Sequence, residues 1–248
     1  MGAERKHKMN ILAIDTSNET LSIAILKNKN LVATITTNQS KNHSVTLMPQ
    51  IANLLKQVNM SITEIDRFVV AKGPGSYTGL RIGVTTAKTF AYTLSKELVG
   101  VSSLAVLAAP INEVNTVIIP IFDARRDNVF AGAYLRENNQ LKNVIVDQHI
   151  PLEKLLEKLS DYKRLFFVGV DSHKFAERIK IVLKDKEIQF SANELDYPQA
   201  YYLGIMGLAQ EPVDIHSFVP KYLRLTQAES QWLEKNQESN DESLVEKI

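Results

Sequence analysis

Residues 68–83 have the sequence FVVAKGPGSYTGLRIG, which passes from an apolar strand through a Gly/Pro loop into a helix at about 78–94. A strand, a tight loop and a helix in this order are typical of α/β proteins. The first backbone N–H groups of such a helix, and the positive end of its dipole, point toward whatever lies at the loop. The stretch therefore predicts an α/β fold and marks the loop as a candidate binding site.

The loop differs from the common phosphate-binding motifs. It lacks the Gly-Lys-Ser/Thr of a P-loop and is not a Rossmann fingerprint, although Arg81 lies one turn into the helix and can clamp an anion. A reading without any ligand stays open, in which Ser76 or Thr78 caps the helix and the glycines and proline build the turn. The candidate residues for binding an anion or nucleotide are Gly73, Gly75, Ser76, Thr78, Arg81 and Asp15.

A second feature is a short internal repeat. The apolar run at 10–15 ends in Asp15, and the apolar run at 117–123 ends in Asp123, so that a shift of 108 positions superimposes the two acids. In both places an alternating strand follows a tight turn, and a chance match remains an alternative. Two such units facing each other across a cleft hold the nucleotide in actin, hexokinase and Hsp70-like proteins. The repeat predicts two subdomains with a boundary near Pro110 to Asn115.

Neither acid is followed by the glycine that would let a phosphate reach the backbone: Thr16-Ser17 follows Asp15, and Ala124-Arg125 follows Asp123. We therefore interpret both as turn-forming residues. The chain has no cysteine, and no two histidines have the i, i+4 spacing that places two imidazoles on one helical face. We predict no metal site and no catalytic residue. The histidines are His7, His43, His149, His173 and His216.

Two helical patterns are candidates for contact with a partner. Small residues four apart allow another helix to approach closely, and an apolar stripe on the preceding helix, at about 47–58, has the same two explanations. Packing within the chain's own core and pairing with another subunit are equally open from the pattern alone. The residues are Gly79, Gly83, Ala87 and Ala91 in the small-residue strip, and Leu47, Ile51 and Leu54 in the stripe.

Composition limits the class of protein. The 248 residues are 44% hydrophobic and 23% charged, which is typical of a globular protein with a sizeable core. No apolar run reaches the roughly 18 residues that span a bilayer, and the polar start lacks the apolar segment of a signal peptide. A cytoplasmic location is the expectation. The net charge of +1 argues against a chain that grips nucleic acid by bulk charge alone.

Spacing and alternation predict the other elements. They are strands at 10–15, 21–26, 31–37, 117–122 and 129–133, helices at 152–159, 173–184 and 199–210, and a strand at 165–170. Pro49 is expected in the first turn of the helix at 47–58, or as the cause of a kink there.

Several stretches together resemble the bacterial TsaB (YeaZ) family, over about residues 9–230. The resemblance lies in Ile11 to Ser17, His43-Ser44 with Leu47-Met48-Pro49, Gly73 to Gly83, Asp123-Ala124-Arg125, and Pro220 to Arg224 with Ala228-Glu229. The glycine-rich stretch is the most specific part, because its full run is far longer than a generic turn.

This resemblance implies a duplicated actin-like (ASKHA, RNase H-like) α/β fold without catalytic activity. The expected parts are an extension at 1–8, an N-terminal subdomain at 9–110, a C-terminal subdomain at 111–225 and an acidic tail at 226–248. The helix near 199–210 is expected to pack back on the first subdomain.

The resemblance also implies partners. The family pairs with TsaD, which carries a histidine-pair metal site, and works with the ATPase TsaE to transfer threonylcarbamoyl to N6 of the adenosine beside the tRNA anticodon. Pairing through the first two helices favours the partner explanation for the small-residue strip. We expect a heterodimer with TsaD, a homodimer when the chain is alone, contact with tRNA only through the complex, and no membrane. No intrinsic cofactor is expected, and any ATP or ADP would lie at the interface of the complex.

Two other functions stay open. One is a small-molecule kinase or ATPase of the same fold that uses Asp15 and the loop at 73–81. The other, less favoured, is a peptidase, for which the sequence offers no nucleophile–base pair and no metal site.

Overall fold

The computed structural model describes residues 8–38, 42–138 and 140–224, which form two five-stranded sheets. The first sheet has the order β3-β2-β1-β4-β5, and the second has the order β10-β9-β6-β7-β8. The strands of the first sheet are β1 Asn10–Asp15, β2 Leu21–Lys27, β3 Asn30–Thr37, β4 Arg67–Gly73 and β5 Glu97–Ser102. Those of the second are β6 Val117–Asp123, β7 Asn128–Glu137, β8 Gln140–Pro151, β9 Arg164–Val168 and β10 Glu187–Phe190.

Seven α-helices accompany these strands in the described ranges. They are α1 His43–Gln57, α2 Tyr77–Leu94, α3 Ser103–Ala108, α4 Leu152–Leu159, α5 Val170–Lys174, α6 Ala176–Val182 and α7 Ala200–Leu208. None of them is long and apolar enough to cross a bilayer.

The two sheets have the same topology. In the first, β1 runs antiparallel to β2 and parallel to β4, and in the second β6 runs antiparallel to β7 and parallel to β9. The parallel pairs β4–β5 and β9–β10 continue both sheets in the same way. The chain thus has the predicted duplicated, actin-like α/β fold.

An ion pair recurs at the same place in both sheets. Arg67 begins β4 and its Nε lies 2.7 Å from Oε2 of Glu97, which begins β5. Arg164 begins β9 and its Nε lies 2.9 Å from Oε2 of Glu187, which begins β10. The first arginine is buried and the second is half-exposed, so the repeated pair sits in two different environments.

Helices cover both faces of each sheet. Helices α1 and α2 pack on one face of the first sheet, and α7 packs on the opposite face. In the second sheet, α4 and α6 lie on one face, and α3 contributes to the apolar cluster on the other. Each half of the chain therefore contributes a helix to the other sheet. Helix α3 precedes the second sheet in the chain and packs on it, and α7 follows the second sheet and packs on the first.

One sequence prediction of local structure was wrong, and one of two alternatives for Pro49 is excluded. The predicted helix at 173–184 is two short helices, α5 and α6, which meet at Phe175, where a backbone φ of −102° interrupts the helical path. Of the two alternatives for Pro49, a place in the first turn is excluded, because α1 begins at His43 and the proline lies in its interior.

Candidate functional site

The Gly/Pro loop packs directly against the turn that follows β1. The backbone N–H of Ser76 donates a 2.7 Å hydrogen bond to the carbonyl oxygen of Ser17. A Cβ added at Gly75 would overlap that same oxygen, so the glycine is needed for the close approach of two backbones. The chain's own main chain thus takes the N–H of Ser76 and lies directly against Gly75.

Gly73 has a separate reason to be glycine. Its φ of +113° is a conformation that side chains strongly disfavour, and a Cβ there would lie 2.5 Å from the carbonyl oxygen of Lys221. The backbone N–H of Lys221 in turn donates a 2.7 Å hydrogen bond to the carbonyl oxygen of Lys72. The loop is therefore enclosed on this side by the segment that follows α7.

The other residues of the loop have ordinary structural roles or face outward. Ser76 caps α2, since its hydroxyl accepts a 3.3 Å hydrogen bond from the N–H of Gly79. Thr78 is exposed. Arg81 is also exposed, and its Nη1 donates a 2.9 Å hydrogen bond to the hydroxyl of Tyr77. The six anion-binding candidates therefore do not converge on one open site in this conformation.

The two repeated acids form the same turn, but their pKa values are shifted in opposite directions. Oδ1 of Asp15 accepts the N–H of Ser17 at 2.9 Å, and Oδ1 of Asp123 accepts the N–H of Arg125 at 2.7 Å. Asp15 is fully buried, and this burial raises the pKa of its carboxyl. Partial burial also raises the pKa of Asp123, but the Lys174 ammonium, the Arg125 N–H and the Arg125 charge outweigh it and hold that pKa below its ordinary value.

A cavity of about 410 Å³ lies beside the second acid. Three consecutive residues there, Arg125, Arg126 and Asp127, have φ of 66°, 52° and 57°, which costs conformational energy in residues other than glycine. Sequence reasoning missed this cavity, although the run of charges after the strand was a signal. Its lining residues are Asp123, Arg125, Arg126, Asp127, Lys174 and Phe175.

The small-residue strip faces the chain's own core. A Cβ at Gly79 would overlap the carbonyl oxygen of Thr16, and a Cβ at Gly83 would overlap Oγ1 of Thr16. Ala87 and Ala91 are fully buried in the apolar core between the first sheet and helices α1 and α2. The prediction that this strip offers a smooth surface to a partner is therefore corrected: it is smooth because the turn after β1 packs on it.

The apolar stripe of α1 is core as well, since Leu47, Ile51 and Leu54 are 1%, 2% and 1% exposed. The accessible apolar side chains of α1 lie on its other face. Val45 is 63% exposed and Met48 is 48% exposed, and Pro49 and Ala52 are also exposed. These four positions follow the i, i+3, i+4, i+7 spacing of one helical face, and we call them the outer face of α1.

The histidines of the described ranges are dispersed, and His7 lies outside those ranges. Nε2 of His43 is 2.8 Å from the carbonyl oxygen of Asn18, and Nε2 of His173 is 2.8 Å from Oδ2 of Asp196. Residues 8–38, 42–138 and 140–224 contain no group of three histidines or carboxylates arranged to hold a metal ion.

Comparison with known proteins relates this chain to a tRNA-modification pathway. The family model of TsaD, described as tRNA N6-adenosine threonylcarbamoyltransferase, matches residues 30–232. The tRNA threonylcarbamoyladenosine biosynthesis protein TsaB of Bacillus subtilis is 44% identical over 227 residues, which cover 91% of this chain and 99% of that protein. The TsaB protein of Escherichia coli is 28% identical, covering 87% of this chain and 95% of its own.

Two further similarities concern the transferase and the fold. A tRNA N6-adenosine threonylcarbamoyltransferase of onion yellows phytoplasma is 35% identical over 112 residues, 39% of this chain and 48% of that protein. The solved structure of YeaZ from Pseudomonas aeruginosa superimposes with a TM-score of 0.74 at 24% identity, covering 87% of this chain and all of that chain.

Proposed function

The chain belongs to the TsaB family of tRNA threonylcarbamoyladenosine biosynthesis proteins, and we propose that it is a non-catalytic subunit of that machinery. In this proposal TsaD transfers the threonylcarbamoyl group to N6 of the adenosine beside the anticodon, and TsaE supplies ATPase activity. This chain pairs with TsaD and supports it. It acts in the cytoplasm and meets tRNA only as part of the complex.

The observation that carries the non-catalytic role is the closed loop at 73–76. An actin-like enzyme needs open backbone N–H groups and accessible acids around its phosphates. Here Ser17 occupies the N–H of Ser76, and Asp15 is fully buried. Asp123 is engaged by Lys174 and by the N–H of Arg125. These contacts support a scaffold more than the kinase or ATPase alternative.

The pairing surface that we propose is the outer face of α1. From the family resemblance we expect pairing through the first two helices, and the inward residues of those helices are already buried within the chain. Val45 and Met48 remain as large apolar side chains in water, with Pro49 and Ala52 beside them. An apolar helical face of this kind gains free energy by packing against helices of a partner. The same face, used symmetrically, would form the homodimer when TsaD is absent.

Size-exclusion chromatography of the purified chain mixed with purified TsaD tests this function. We expect the two proteins to elute together, ahead of either one alone, and the homodimer of this chain to disappear as TsaD is added. Separate elution of the two proteins at micromolar concentration would contradict the proposal.

A further inference from the structure

Two half-exposed tyrosines stack on each other at the start of α2. The ring centroids of Tyr77 and Tyr222 lie 4.8 Å apart with 30° between the ring planes. Tyr77 is 43% exposed and Tyr222 is 41% exposed, so each ring presents surface to water. The Arg81 guanidinium lies over the Tyr77 ring, 5.4 Å from its centroid. The result is an aromatic platform edged by a cation.

Three more cations are linked to this platform through the backbone. Lys221 directly precedes Tyr222, Arg224 follows it by two residues, and the backbone N–H of Lys221 donates to the carbonyl oxygen of Lys72. Among the residues that the structure describes, neither these three cations nor Arg81 forms an ion pair with a carboxylate. Arg224 donates its only described side-chain hydrogen bond, of 3.0 Å, to the carbonyl oxygen of Ala124. Within the described ranges, none of these four cations therefore has a carboxylate partner.

The segment that carries Tyr222 is held firmly against the first sheet and α2. The N–H of Val213 donates to the carbonyl oxygen of Leu98 at 2.8 Å, and Phe218 packs against the apolar core between the first sheet and helices α1 and α2. Nζ of Lys88 donates to the carbonyl oxygens of His216 and Phe218 at 2.9 and 3.0 Å. These contacts fix the segment that carries Tyr222, so the stacked pair has a defined position for a ligand.

We propose that this platform, Tyr77 and Tyr222 with Lys72, Arg81, Lys221 and Arg224, binds a single-stranded stretch of RNA. Flat aromatic faces stack on any base, and unpaired cations neutralise the phosphates between bases, which is how single-stranded nucleic acids are commonly bound. This inference rests on the proposed function, in which tRNA is the RNA that the complex meets.

Charge along the chain agrees with such a surface. Residues 228–248 contain six acids and two lysines, a net −4, so the rest of the chain carries +5 although the total is only +1. A platform with four cations makes few phosphate contacts, and few contacts give weak binding at physiological salt. The surface therefore adds affinity within the complex and does not make this chain a tRNA-binding protein by itself.

Photocrosslinking tests the location of the contact. The probe is an unmodified tRNA transcript containing 4-thiouridine, irradiated with this chain alone at low salt and with the chain–TsaD complex, followed by mass spectrometry of crosslinked peptides. We expect crosslinks in the peptides that contain Tyr77 or Tyr222 in both samples. Crosslinks confined to other peptides of this chain, or their absence from the chain at low salt, would overturn the inference.

Matched variants test the chemistry. Tyr222→Leu should weaken tRNA binding by the complex about tenfold, as expected for the loss of one stacking ring. Arg81→Gln and Lys221→Gln should each make the negative slope of log K against log salt shallower by about 0.7 to 0.9. The controls are Tyr92→Leu, on an exposed tyrosine roughly 22 Å away at the other end of α2, and Lys29→Gln, in the β2–β3 turn.

The inference would be overturned if Tyr222→Leu, Arg81→Gln and Lys221→Gln bound tRNA with the same affinity and salt dependence as the two controls. Variants that lose TsaD in chromatography while their crosslinks to tRNA persist would also overturn it, because the platform would then be a protein contact. The outcome is separate from that of the proposed function: if the unaltered chain fails to pair with TsaD, the function is wrong, and crosslinking of the chain alone still decides the RNA contact.

Discussion

The hydroxyl of Thr16 donates a buried hydrogen bond of 2.7 Å to the carbonyl oxygen of Gly79, and this contact joins the end of β1 to the first turn of α2. One turn further along α2, Gly83 lies so close to the same threonine that a Cβ would overlap its Oγ1. The small residues of α2 thus serve an approach between helix and turn within one chain. That approach also closes the loop at 73–76.

Replacing Gly83 with Ala should destabilise the fold. The added methyl group has no room beside Thr16, and overpacking of this kind costs about 1–3 kcal/mol. For a chain of this size we expect the midpoint of thermal unfolding to fall by roughly 2–4 °C for each kcal/mol. Thr89→Ala, on the exposed face of the same helix, is the matched control and should change little.

A double-mutant cycle identifies the cause of that loss. Thr16→Ala removes the hydroxyl that Gly83→Ala would overlap, so the double variant should lose less stability than the sum of the two single variants. Strict additivity in urea unfolding would show that the methyl group clashes with something other than Thr16.

Met48→Asp should weaken pairing with TsaD while leaving the fold intact. Met48 is 48% exposed, so the charge meets water in the free chain and becomes buried only in the complex. Loss of a central interface residue costs about 2 kcal/mol or more, or roughly 30-fold in Kd. Ile181→Asp, on an exposed apolar residue of α6, is the control. Equal Kd values for the two variants, measured by titration calorimetry, would exclude the outer face of α1 as the pairing surface.

Arg67→Lys should be costly, and the equivalent Arg164→Lys should not. Arg67 is buried, and its Nη1 donates to the carbonyl oxygens of Gly207, at 2.8 Å, and Gln210, at 3.0 Å, at the end of α7. A lysine cannot reproduce this fork, and each unsatisfied buried group costs about 1–3 kcal/mol. The exposed Arg164–Glu187 pair contributes about 0–1 kcal/mol. Similar losses in chemical unfolding of both variants would contradict a special role for Arg67 in anchoring α7.

The stability of Asp15→Asn relative to the unaltered chain should depend on pH. Burial raises the pKa of Asp15 in the folded state, so the folded chain holds the proton more tightly than the unfolded chain. The contribution of Asp15 is then most favourable below its unfolded pKa of about 4 and is lost as the pH rises through the higher folded pKa. Asparagine keeps an oxygen for the N–H of Ser17 and carries no charge.

The stability of the variant should therefore increase relative to that of the unaltered chain as the pH rises above the unfolded pKa of about 4, measured by urea unfolding at each pH. A difference in stability that is constant over this range would mean that Asp15 does not titrate differently in the folded and unfolded states.

Local signals in the sequence were enough to predict the first strands of each half. A shift of 108 superimposes Asp15 on Asp123, and the structure gives both acids the same turn and the same place at the end of a central strand. The correspondence then drifts, because Arg67 of β4 matches Arg164 of β9 at a shift of 97. Insertions and deletions between strands hide such a repeat from any search at a fixed spacing.

The candidate site was harder to predict for a physical reason. Spacing shows that Gly79 and Gly83 lie on one face of a helix, but it does not show what that face contacts, and here a turn 63 residues earlier in the chain provides the contact. The segment at 213–224 has no periodicity that could be recognised in the sequence. Backbone hydrogen bonds to β4 and β5 hold it in place. Its place beside α2, and the platform that it completes, become visible only in three dimensions.

The most direct test of the central claim measures threonylcarbamoyladenosine in tRNA by mass spectrometry after incubation with threonylcarbamoyl-adenylate and either the pure chain, TsaD alone, or both. With ATP and TsaE also present in each reaction, a supporting subunit predicts no product from the chain without TsaD, and more product from the pair than from TsaD alone. Met48→Asp should reduce that gain in proportion to its loss of pairing. Modified tRNA formed by the pure chain without TsaD would contradict the account.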